Sequence, residues 1–376
     1  MSRRKLILIG PTPPPIHGSA FATLHLIEAV DHAGAFGAHL ETGEDDRPVF
    51  NTGVFDFQNV YLGVKHVLTL ILMLIRNRDA DVHVPISQNR WGFARDAIFI
   101  WIAHLARRKV IVHLYGGLFG DFYAGLKGVE RAFVRRTFGC VDAAWVETEN
   151  RRTVFSALLP PEAVRVVENT ADDCGPPMRE ARRAADAERL RILFLANLIP
   201  TKGHRELLAA LERLADRGQS GIDVRLVGEV QPDEAELVRA AAGRLGPAGI
   251  TVELLDAVMG EDKLALYRWA DVLALPSRYP PEGQPLVLLE AMSAGLAIIG
   301  SDHSGIPHTV IDGEQGLIVP KGDVEALAEA VVRLTGDREL LAQLGAAGRD
   351  RYDDRYSLAS YERRVKDLLI ERGMVA

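Results

Sequence analysis

Two glutamates, Glu282 and Glu290, stand eight residues apart in the chain. Glu290 lies inside the apolar run 286–292, where an ionised carboxylate costs free energy unless it accepts hydrogen bonds. Sugar and ribose hydroxyls are suitable donors, because one carboxylate can accept a bond from each hydroxyl of a diol. The pair therefore indicates a sugar-binding site. The alternative is that Glu290 lies on the single wet stripe of a half-buried helix.

The residues around this pair predict a strand, a loop and a helix. Residues 272–275 form an apolar run of strand length, residues 280–283 interrupt it with proline and glycine, and Pro285 fits the first helical position. Gly295 then ends the helix. The start of such a helix presents free backbone N–H groups and the positive end of the helix dipole, which suits a diphosphate.

The segments that follow continue the alternation of strands and helices. Residues 297–300 form another short apolar run, and the turn 305–307 has the sequence Gly-Ile-Pro. The loop 312–316 and the apolar run 317–320 come next, and Asp323 is placed to cap an amphipathic helix. Together with the two glutamates, this series is ordered and specific enough to compare with known families.

The series resembles family 4 of the retaining glycosyltransferases, most clearly over residues 192–334. That family carries two glutamates in the spacing E-x7-E, then E-A-M-x-x-G, a G-I-P turn and a D-G-x-x-G loop. The resemblance implies the GT-B fold, an α/β architecture of two Rossmann-like, doubly wound domains that face each other across a cleft. Two positions depart from the family pattern: Gln284 replaces the usual aromatic residue, and His308 replaces the usual glutamate.

The resemblance also implies roles for individual residues of the second domain. Lys202 matches the lysine of the family's K-G motif, which contacts the diphosphate, whereas Asn197 stands where the family has arginine. Arg278 or Arg205 could supply the missing positive charge. Glu290 is expected on the ribose, and Glu282 with the 283–286 backbone on the transferred sugar. The implied donor-binding residues of this domain are Asn197, Lys202, Gly283, Gln284, Leu286 and Glu290.

Two further candidates come from the first domain. The pair Gly18 and Ser19 opens a predicted helix where the family has a Gly-Gly loop near the donor phosphates; a turn and cap without ligand is the alternative. His113 and Tyr115 lie on one face of the predicted strand 110–114, at the carboxyl end where α/β sheets bind ligands. In the family a histidine at this strand end touches the transferred sugar, so His113 joins Glu282 and Lys202 as a predicted catalytic residue. A packing role for this strand histidine remains the alternative.

The length of 376 residues fits two domains with substantial cores. We predict a first domain over residues 1–170, a linker over 171–188 and a second domain over 189–355. Residues 356–376 are predicted as a helix that returns to the first domain. The predicted strands of the first domain cover residues 6–9, 82–84, 110–114, 143–146 and 164–167, and the polar stretch 41–58 is predicted to be a surface excursion.

Two cysteines are too few for a disulfide framework and favour a reducing compartment. Residues 2–9 begin with positive charge but have too short an apolar core for a signal peptide. The longest apolar runs, 67–75 and 97–106, fall short of the roughly 18 to 20 residues of a spanning helix. The sequence therefore predicts a cytoplasmic protein.

Charge divides unevenly along the chain. Residues 1–170 contain 19 basic and 17 acidic residues, and the remainder contains 25 and 34. This distribution argues against nucleic acid as a partner but allows the first half to face an anionic membrane surface. The helix predicted over 62–75 is apolar enough to lie in a membrane interface, with burial on the sheet as the alternative. Candidate membrane contacts are Arg107, Arg108, Lys109, Lys127, Arg131, Arg135 and Arg136, although scattered solvated charge explains them equally.

Other chemistries leave little trace in the sequence. There is no G-x-G-x-x-G and no Walker loop, and the histidines and cysteines lack zinc-like spacing. Asp79 and Asp81 form a D-x-D, a motif that metal-dependent glycosyltransferases use, but its position between a helix and a strand favours a polar turn.

The sequence predicts metal-independent transfer of a hexose, without a further cofactor, from a UDP- or GDP-sugar. The acceptor would be a saccharide or lipid-linked saccharide, in cell-surface polysaccharide biosynthesis. Retention of the anomeric configuration follows from the resemblance alone. A sugar-nucleotide epimerase of the same fold and a non-catalytic sugar-nucleotide-binding subunit are the alternatives.

Overall fold

The fold is described from a computed structural model, which covers residues 4–14, 18–43, 57–175 and 189–375. The chain divides into two compact units, Met1–Thr170 with Leu358–Ala376, and Ala171–Ser357. Each unit is built on one six-stranded sheet in which neighbouring strands are parallel. Because helices cover both faces of such sheets, their strands are short runs of apolar residues.

The first sheet has the strand order β2-β1-β3-β4-β5-β6. Its strand β4 is buried along its whole length. The strands are β1 (Lys5–Gly10), β2 (Phe36–Glu41), β3 (Ala80–Pro85), β4 (Val110–Leu114), β5 (Ala143–Val146) and β6 (Val164–Val166). The helices between them are α1 (Gly18–His32), α2 (Phe57–Arg76), α3 (Arg90–Leu105), α4 (Phe119–Gly125) and α5 (Gly128–Phe138).

The direction of the crossovers decides which helices share a face of the first sheet. The connections that contain α2 and α3 both run from left to right in the strand order, so right-handed crossovers place both helices on one face. Leu70 and Leu74 of α2 accordingly pack in one core with Phe93 and Ile100 of α3. The connection from β1 to β2 runs the other way, and α1 therefore packs on the opposite face.

The second sheet has the strand order β12-β11-β10-β7-β8-β9. The order reverses between β7 and β10, and ligands of such sheets bind outside the carboxyl ends of the strands at this switch point. The strands are β7 (Leu190–Leu195), β8 (Ile222–Val227), β9 (Ile250–Leu255), β10 (Val272–Leu275), β11 (Ala297–Ser301) and β12 (Gly316–Val319). The helices are α6 (His204–Asp216), α7 (Pro232–Leu245), α8 (Gly260–Trp269), α9 (Leu286–Ser293), α10 (Ile306–Thr309), α11 (Val324–Gly336) and α12 (Arg338–Arg351).

The last helix, α13 (Leu358–Glu371), is grouped with the first unit, where Val365 and Leu369 pack with α1. Residues 176–188 of the predicted linker lie outside the described residues. The preceding residues pack with the second unit: Cys174 is buried, and the Tyr352 hydroxyl donates a hydrogen bond of 2.8 Å to the Ala171 carbonyl.

The predicted strands agree with the structure to within one or two residues, and β4, β5 and β10 have the predicted bounds. Three strands, β2, β8 and β9, were not predicted, because polar residues interrupt their apolar character. Pro285 is the residue before the first turn of α9, with extended backbone, and not its first helical residue as predicted. Asp323 caps α11 as predicted, since its carboxylate accepts from the Ala326 N–H at 3.0 Å.

Most of the predicted excursion over residues 41–58 lies outside the described residues, and α2 begins at Phe57. Within the parts of the chain that the structure describes, no helix combines the length and apolar character needed to cross a membrane.

Candidate functional site

The turn after β7 lies directly against the segment after β10. Gly203 has a φ of +97°, and a Cβ atom there would lie 2.3 Å from the Pro276 carbonyl oxygen. Only glycine fits this position, because any other side chain would collide with backbone. A hydrogen bond of 2.8 Å from the Arg278 N–H to the Thr201 carbonyl joins the two segments. The K-G motif thereby places Lys202 beside the loop that carries Glu282.

Lys202 and Glu282 form a bidentate ion pair at the carboxyl ends of β7 and β10. The Lys202 Nζ lies 2.9 Å from each carboxylate oxygen, and the Ser277 hydroxyl donates a third bond of 2.6 Å. Glu282 is only 6% exposed, so these donors compensate the cost of burying its charge. The Lys202 Nζ also lies 4.5 Å from the centre of the Tyr279 ring, in cation–π contact.

A second loop, which includes the Gly-Ile-Pro turn, braces the Glu282 loop. The Ser304 hydroxyl donates to the Glu282 carbonyl, and His303 Nε2 lies 2.8 Å from the Tyr279 carbonyl, to which it must donate. A Cβ atom on Gly305 would lie 2.2 Å from the Gly283 carbonyl oxygen. The glycine of this turn is thus required for close packing against the predicted sugar-binding backbone.

Glu290 lies on α9 and is held by two side chains of α8. The Tyr267 hydroxyl donates to one oxygen at 2.5 Å, and the Lys263 Nζ to the other at 2.6 Å. Glu290 is 8% exposed. Burial, and then the charge of Glu290, raise the pKa of Tyr267 well above its usual value. The same two causes raise the pKa of Cys174 to about 12, so that thiol stays protonated.

Sequence reasoning missed Tyr267 and Lys263. They precede β10 and belong to no recognisable motif, yet their spacing of four residues places both on one side of α8. An apolar run that contains one acid therefore predicts nearby donors without indicating where in the chain they are.

The other predicted residues of the second unit occupy this same edge of the sheet. Gln284 is buried and Leu286 opens α9. Asn197 follows β7, and its side-chain oxygen accepts a weak bond of 3.4 Å from the Glu229 N–H. The two arginines considered as replacements for a phosphate cation are engaged elsewhere: Arg278 pairs with Glu206 at 2.8 Å, and Arg205 pairs with Glu234.

In the first unit, the predicted residues lie at the carboxyl ends of different strands. Gly18 and Ser19 follow β1 and open α1 as predicted, and the Ser19 carbonyl accepts from the Thr23 hydroxyl at 2.9 Å. Residues 15–17 of this loop lie outside the described residues. The contact of Gly18 and Ser19 with donor phosphates stays a prediction.

His113 lies within the interior of the first unit, at 1% exposure. Its Nδ1 lies 3.1 Å from His83 Nε2, and its ring stacks on Tyr115 with ring centres 4.1 Å apart. Burial lowers the pKa of His113 well below its usual value and that of His83 to about 3, so both rings are neutral at physiological pH. This geometry favours the packing interpretation over contact with a transferred sugar.

The D-x-D motif lies at the amino end of β3, away from the carboxyl edge. Asp81 is 1% exposed and accepts bonds from Arg4 at 3.1 Å and from the Lys109 N–H at 3.2 Å. Asp81 therefore has a structural role in the interior of the first unit. Asp79 lies in the turn before β3, as the sequence favoured. Over the ranges that the structure describes, no three histidine, cysteine or acidic side chains are grouped to hold a metal.

Residues 179–351 match the family model of glycosyl transferases group 1. This segment contains Lys202, Glu282 and Glu290 and almost all of the second unit. The second unit of this chain is thus similar to the group 1 glycosyl transferases.

Two proteins from Mycolicibacterium smegmatis are similar to this chain. Alpha-maltose-1-phosphate synthase is 34% identical over 220 residues, which are 54% of this chain and 55% of the relative. A GDP-mannose-dependent phosphatidylinositol monomannoside mannosyltransferase is 28% identical over 256 residues, 65% of this chain and 66% of the relative. The chain thus matches these relatives over about half to two thirds of their lengths.

Solved structures match nearly the whole chain. Sucrose-phosphate synthase from Thermosynechococcus elongatus has a TM-score of 0.73 at 19% identity, with 98% of this chain and 99% of that chain covered. The Anabaena protein Alr3699/HepE in complex with UDP-glucose has a TM-score of 0.71 at 19% identity, with 97% and 99% covered. At this identity the likeness shows the fold, and the predicted α/β fold of two Rossmann-like domains is confirmed.

Proposed function

We propose that this protein is a retaining glycosyltransferase that moves a hexose from a nucleoside-diphosphate sugar to a saccharide or lipid-linked saccharide. The observation that carries the proposal is the buried ion pair of Lys202 and Glu282 at the carboxyl ends of β7 and β10, followed by Glu290 on α9 with its own lysine and hydroxyl donors. The family match over residues 179–351 supports the reaction class. The relatives' names support the donor class, since one is GDP-mannose-dependent and one fold neighbour was solved with UDP-glucose.

Lys202 stabilises the leaving diphosphate in this proposal. Negative charge develops on the diphosphate as the bond to the sugar breaks, and a preorganised cation in a half-buried site favours that transition state. The N–H groups at the start of α9 add the positive end of a helix dipole on the same side of the sheet. These two sources of positive charge underlie the proposal that no metal is required.

The donor hydroxyls are assigned to the two glutamates. Glu290 binds the ribose, and Tyr267 and Lys263 fix the orientation of its carboxylate. Glu282 binds the transferred sugar together with the backbone of residues 283–286. Because Lys202 and Glu282 bond to each other, donor binding would exchange at least one of their mutual bonds for bonds to diphosphate and sugar.

The cellular setting is part of the proposal. We assign the protein to cell-surface polysaccharide synthesis on the cytoplasmic side, where nucleotide-sugars would be the donor pool. Its two cysteines are free, which agrees with a reducing compartment.

A screen of thermal stabilisation by UDP, GDP and ADP tests donor binding first, because a ligand that binds only the folded state raises the unfolding temperature. The preferred nucleotide then selects the sugar donors for assay. Slow release of hexose in the absence of acceptor supports the transferase. A donor that is bound but never cleaved indicates a non-catalytic binding subunit, and a donor recovered with inverted sugar stereochemistry indicates an epimerase.

A further inference from the structure

Helix α2 is apolar on two opposite sides. Leu70 and Leu74 are buried against the first sheet. On the outer side, large apolar side chains recur every three or four residues over about 21 Å of helix. This outer apolar stripe consists of Tyr61, Val64, Leu68, Ile71, Leu72 and Ile75, which are between 37% and 69% exposed. A helix that only covered a sheet would carry polar residues on this side.

Helix α3 extends the exposed apolar surface. Trp91, Ile98 and Leu105 recur at intervals of seven residues along it and are 64%, 45% and 80% exposed. Of the thirteen large apolar side chains that are exposed among the described residues, nine lie on α2 and α3. A concentration of this kind marks an interaction surface, whereas scattered exposed apolar residues do not.

A groove of about 390 Å³ lies between the carboxyl-terminal halves of the two helices. Ile71, Leu74 and Ile75 line it from α2, and Ile102 lines it from α3. Arg78, Ala106 and Arg108 complete the lining. These arginines precede β3 and β4, so they lie at the amino-terminal edge of the sheet, opposite to the edge with Gly18.

The charge at this end of the groove is positive. Among the described residues, the Arg78 and Arg108 side chains make no hydrogen bond or ion pair, and the Arg108 Nε is buried without a partner. A buried unpaired donor is costly, and an anion between the two arginines would remove that cost. On α3 the acidic Asp96 is buried and paired with Arg95, so it does not oppose an anion. The basic residues next to the groove in the sequence are Arg76, Arg78, Arg107, Arg108 and Lys109, against the acids Asp79 and Asp81, of which Asp81 is buried and paired with Arg4.

We propose that the outer face of α2 and α3 docks on an anionic phospholipid bilayer. The apolar stripe enters the interface, a lipid phosphate binds between Arg78 and Arg108, and an acyl chain occupies the groove. Both helices would lie in the plane of the interface, where an amphipathic helix buries its apolar side and adds attraction to anionic lipids. A second copy of the chain fits this face less well, because a twofold contact would bring the same arginines together.

This inference does not depend on the transfer reaction, and its test contains neither donor nor acceptor. The full chain is floated on density gradients with vesicles of phosphatidylcholine alone or mixed with phosphatidylglycerol. We expect it to float with the anionic vesicles at about 0.1 M salt and to be released near 1 M, where the screening length falls to about 3 Å. Inorganic phosphate at the same concentration as the anionic lipid should not release the protein from the vesicles, because only the bilayer supplies the apolar contact.

Two pairs of variants separate charge from apolar contact. Arg78→Ala with Arg108→Ala is expected to lower the partition coefficient by about 30-fold, from about 1 kcal/mol per basic residue at the surface. Its control removes the same charge from exposed arginines of the second unit, Arg239→Ala with Arg333→Ala, and should bind as the parent does. Leu68→Ser with Leu72→Ser is expected to lower binding on the order of tenfold or more. Met259→Ser with Ile311→Ser replaces exposed apolar residues elsewhere as its control.

Unchanged unfolding temperatures of all four variants show that lost flotation reflects lost binding. The proposal is overturned by a parent that stays at the bottom with anionic vesicles at low salt, or by equal flotation with neutral ones. It is also overturned if the two arginine pairs behave alike. A dimer in light scattering that dissociates in Leu68→Ser with Leu72→Ser, without flotation of the parent, would assign the face to a second copy instead.

Discussion

The two units use the same sheet architecture, but the polar groups to which we assign functions lie at opposite edges of their respective sheets. In the second unit, charged side chains gather at the carboxyl ends of β7 and β10 and are paired there, as Lys202 is with Glu282. In the first unit, His83 of β3 and His113 of β4 are buried and neutral, while Arg78 and Arg108, which have no side-chain partner among the described residues, lie at the amino-terminal edge. The shared fold therefore does not assign a role to an edge, and the side chains must be examined unit by unit.

The buried carboxylates at the switch-point edge of the second unit are compensated by nearby donors. Glu282 and Glu290 each have a lysine and a hydroxyl donor, from Ser277 and Tyr267 respectively. A carboxylate with this pattern of donors is held in one orientation. Each glutamate is therefore fixed by a hydrogen-bond network of its own, and the proposed donor would have to exchange bonds with that network.

The largest effect should come from breaking this network. Lys202→Ala removes the cation that we assign to the diphosphate and leaves Glu282 with fewer donors. We expect nucleotide affinity to fall by about ten- to a hundredfold, the equivalent of about 1.5 to 3 kcal/mol for a charge-assisted contact. Calorimetric titration with the preferred nucleotide measures this loss. Lys321→Ala, on an exposed loop of the same unit, is the matched control; if both variants bind as the parent does, Lys202 does not contact the diphosphate.

The buried histidines of the first unit should dominate the acid side of its stability. His83 has a folded pKa of about 3, below its unfolded value, so the unfolded chain binds the proton first as the pH falls. Its contribution to the free energy of unfolding is fully present above pH 6.5 and is lost on acidification, by about 2 kcal/mol at pH 5. Urea denaturation followed by tryptophan fluorescence, once above pH 6.5 and once at pH 5, tests this. His83→Phe should reduce the pH dependence and the exposed His104→Asn should not; equal dependence in both would contradict the assignment.

A smaller effect should separate the roles of the two glutamates. Glu290→Gln keeps the size of the side chain but removes the charge, and we expect about tenfold weaker binding of both the nucleotide and the nucleotide-sugar. Glu282→Gln should weaken only the nucleotide-sugar, because we assign Glu282 to the transferred hexose. Paired titrations of each variant with nucleoside diphosphate and with its sugar conjugate measure the difference. Parallel losses for both ligands in both variants would show that the two carboxylates act on the same part of the donor.

Much of this comparison could be predicted from the sequence, and the remainder has identifiable physical reasons. Short apolar runs predicted most strands, because strands buried on both faces have little choice of residue. The motif around Glu282 and Glu290 predicted which edge of the second sheet carries charge. Tyr267 and Lys263 were missed because a hydrogen-bond donor can come from any element that packs nearby. Helix α2 was predicted to be either buried or interfacial, and it has a buried side and an exposed apolar side, which composition alone does not reveal.

The smallest expected effect is none: activity should survive chelation of divalent metals. At the carboxyl edge of the second sheet, the charge that a metal would neutralise is already met by Lys202 and the start of α9. In the first unit, the one D-x-D has its second acid buried and bound to Arg4, so it would have to break that pair to bind a metal. The test is transfer activity after dialysis against EDTA, with and without added manganese. Loss of activity on chelation and its recovery with manganese would show that a metal, and not Lys202, supplies the catalytic positive charge. Asp79→Asn would then show whether the D-x-D supplies the metal ligand.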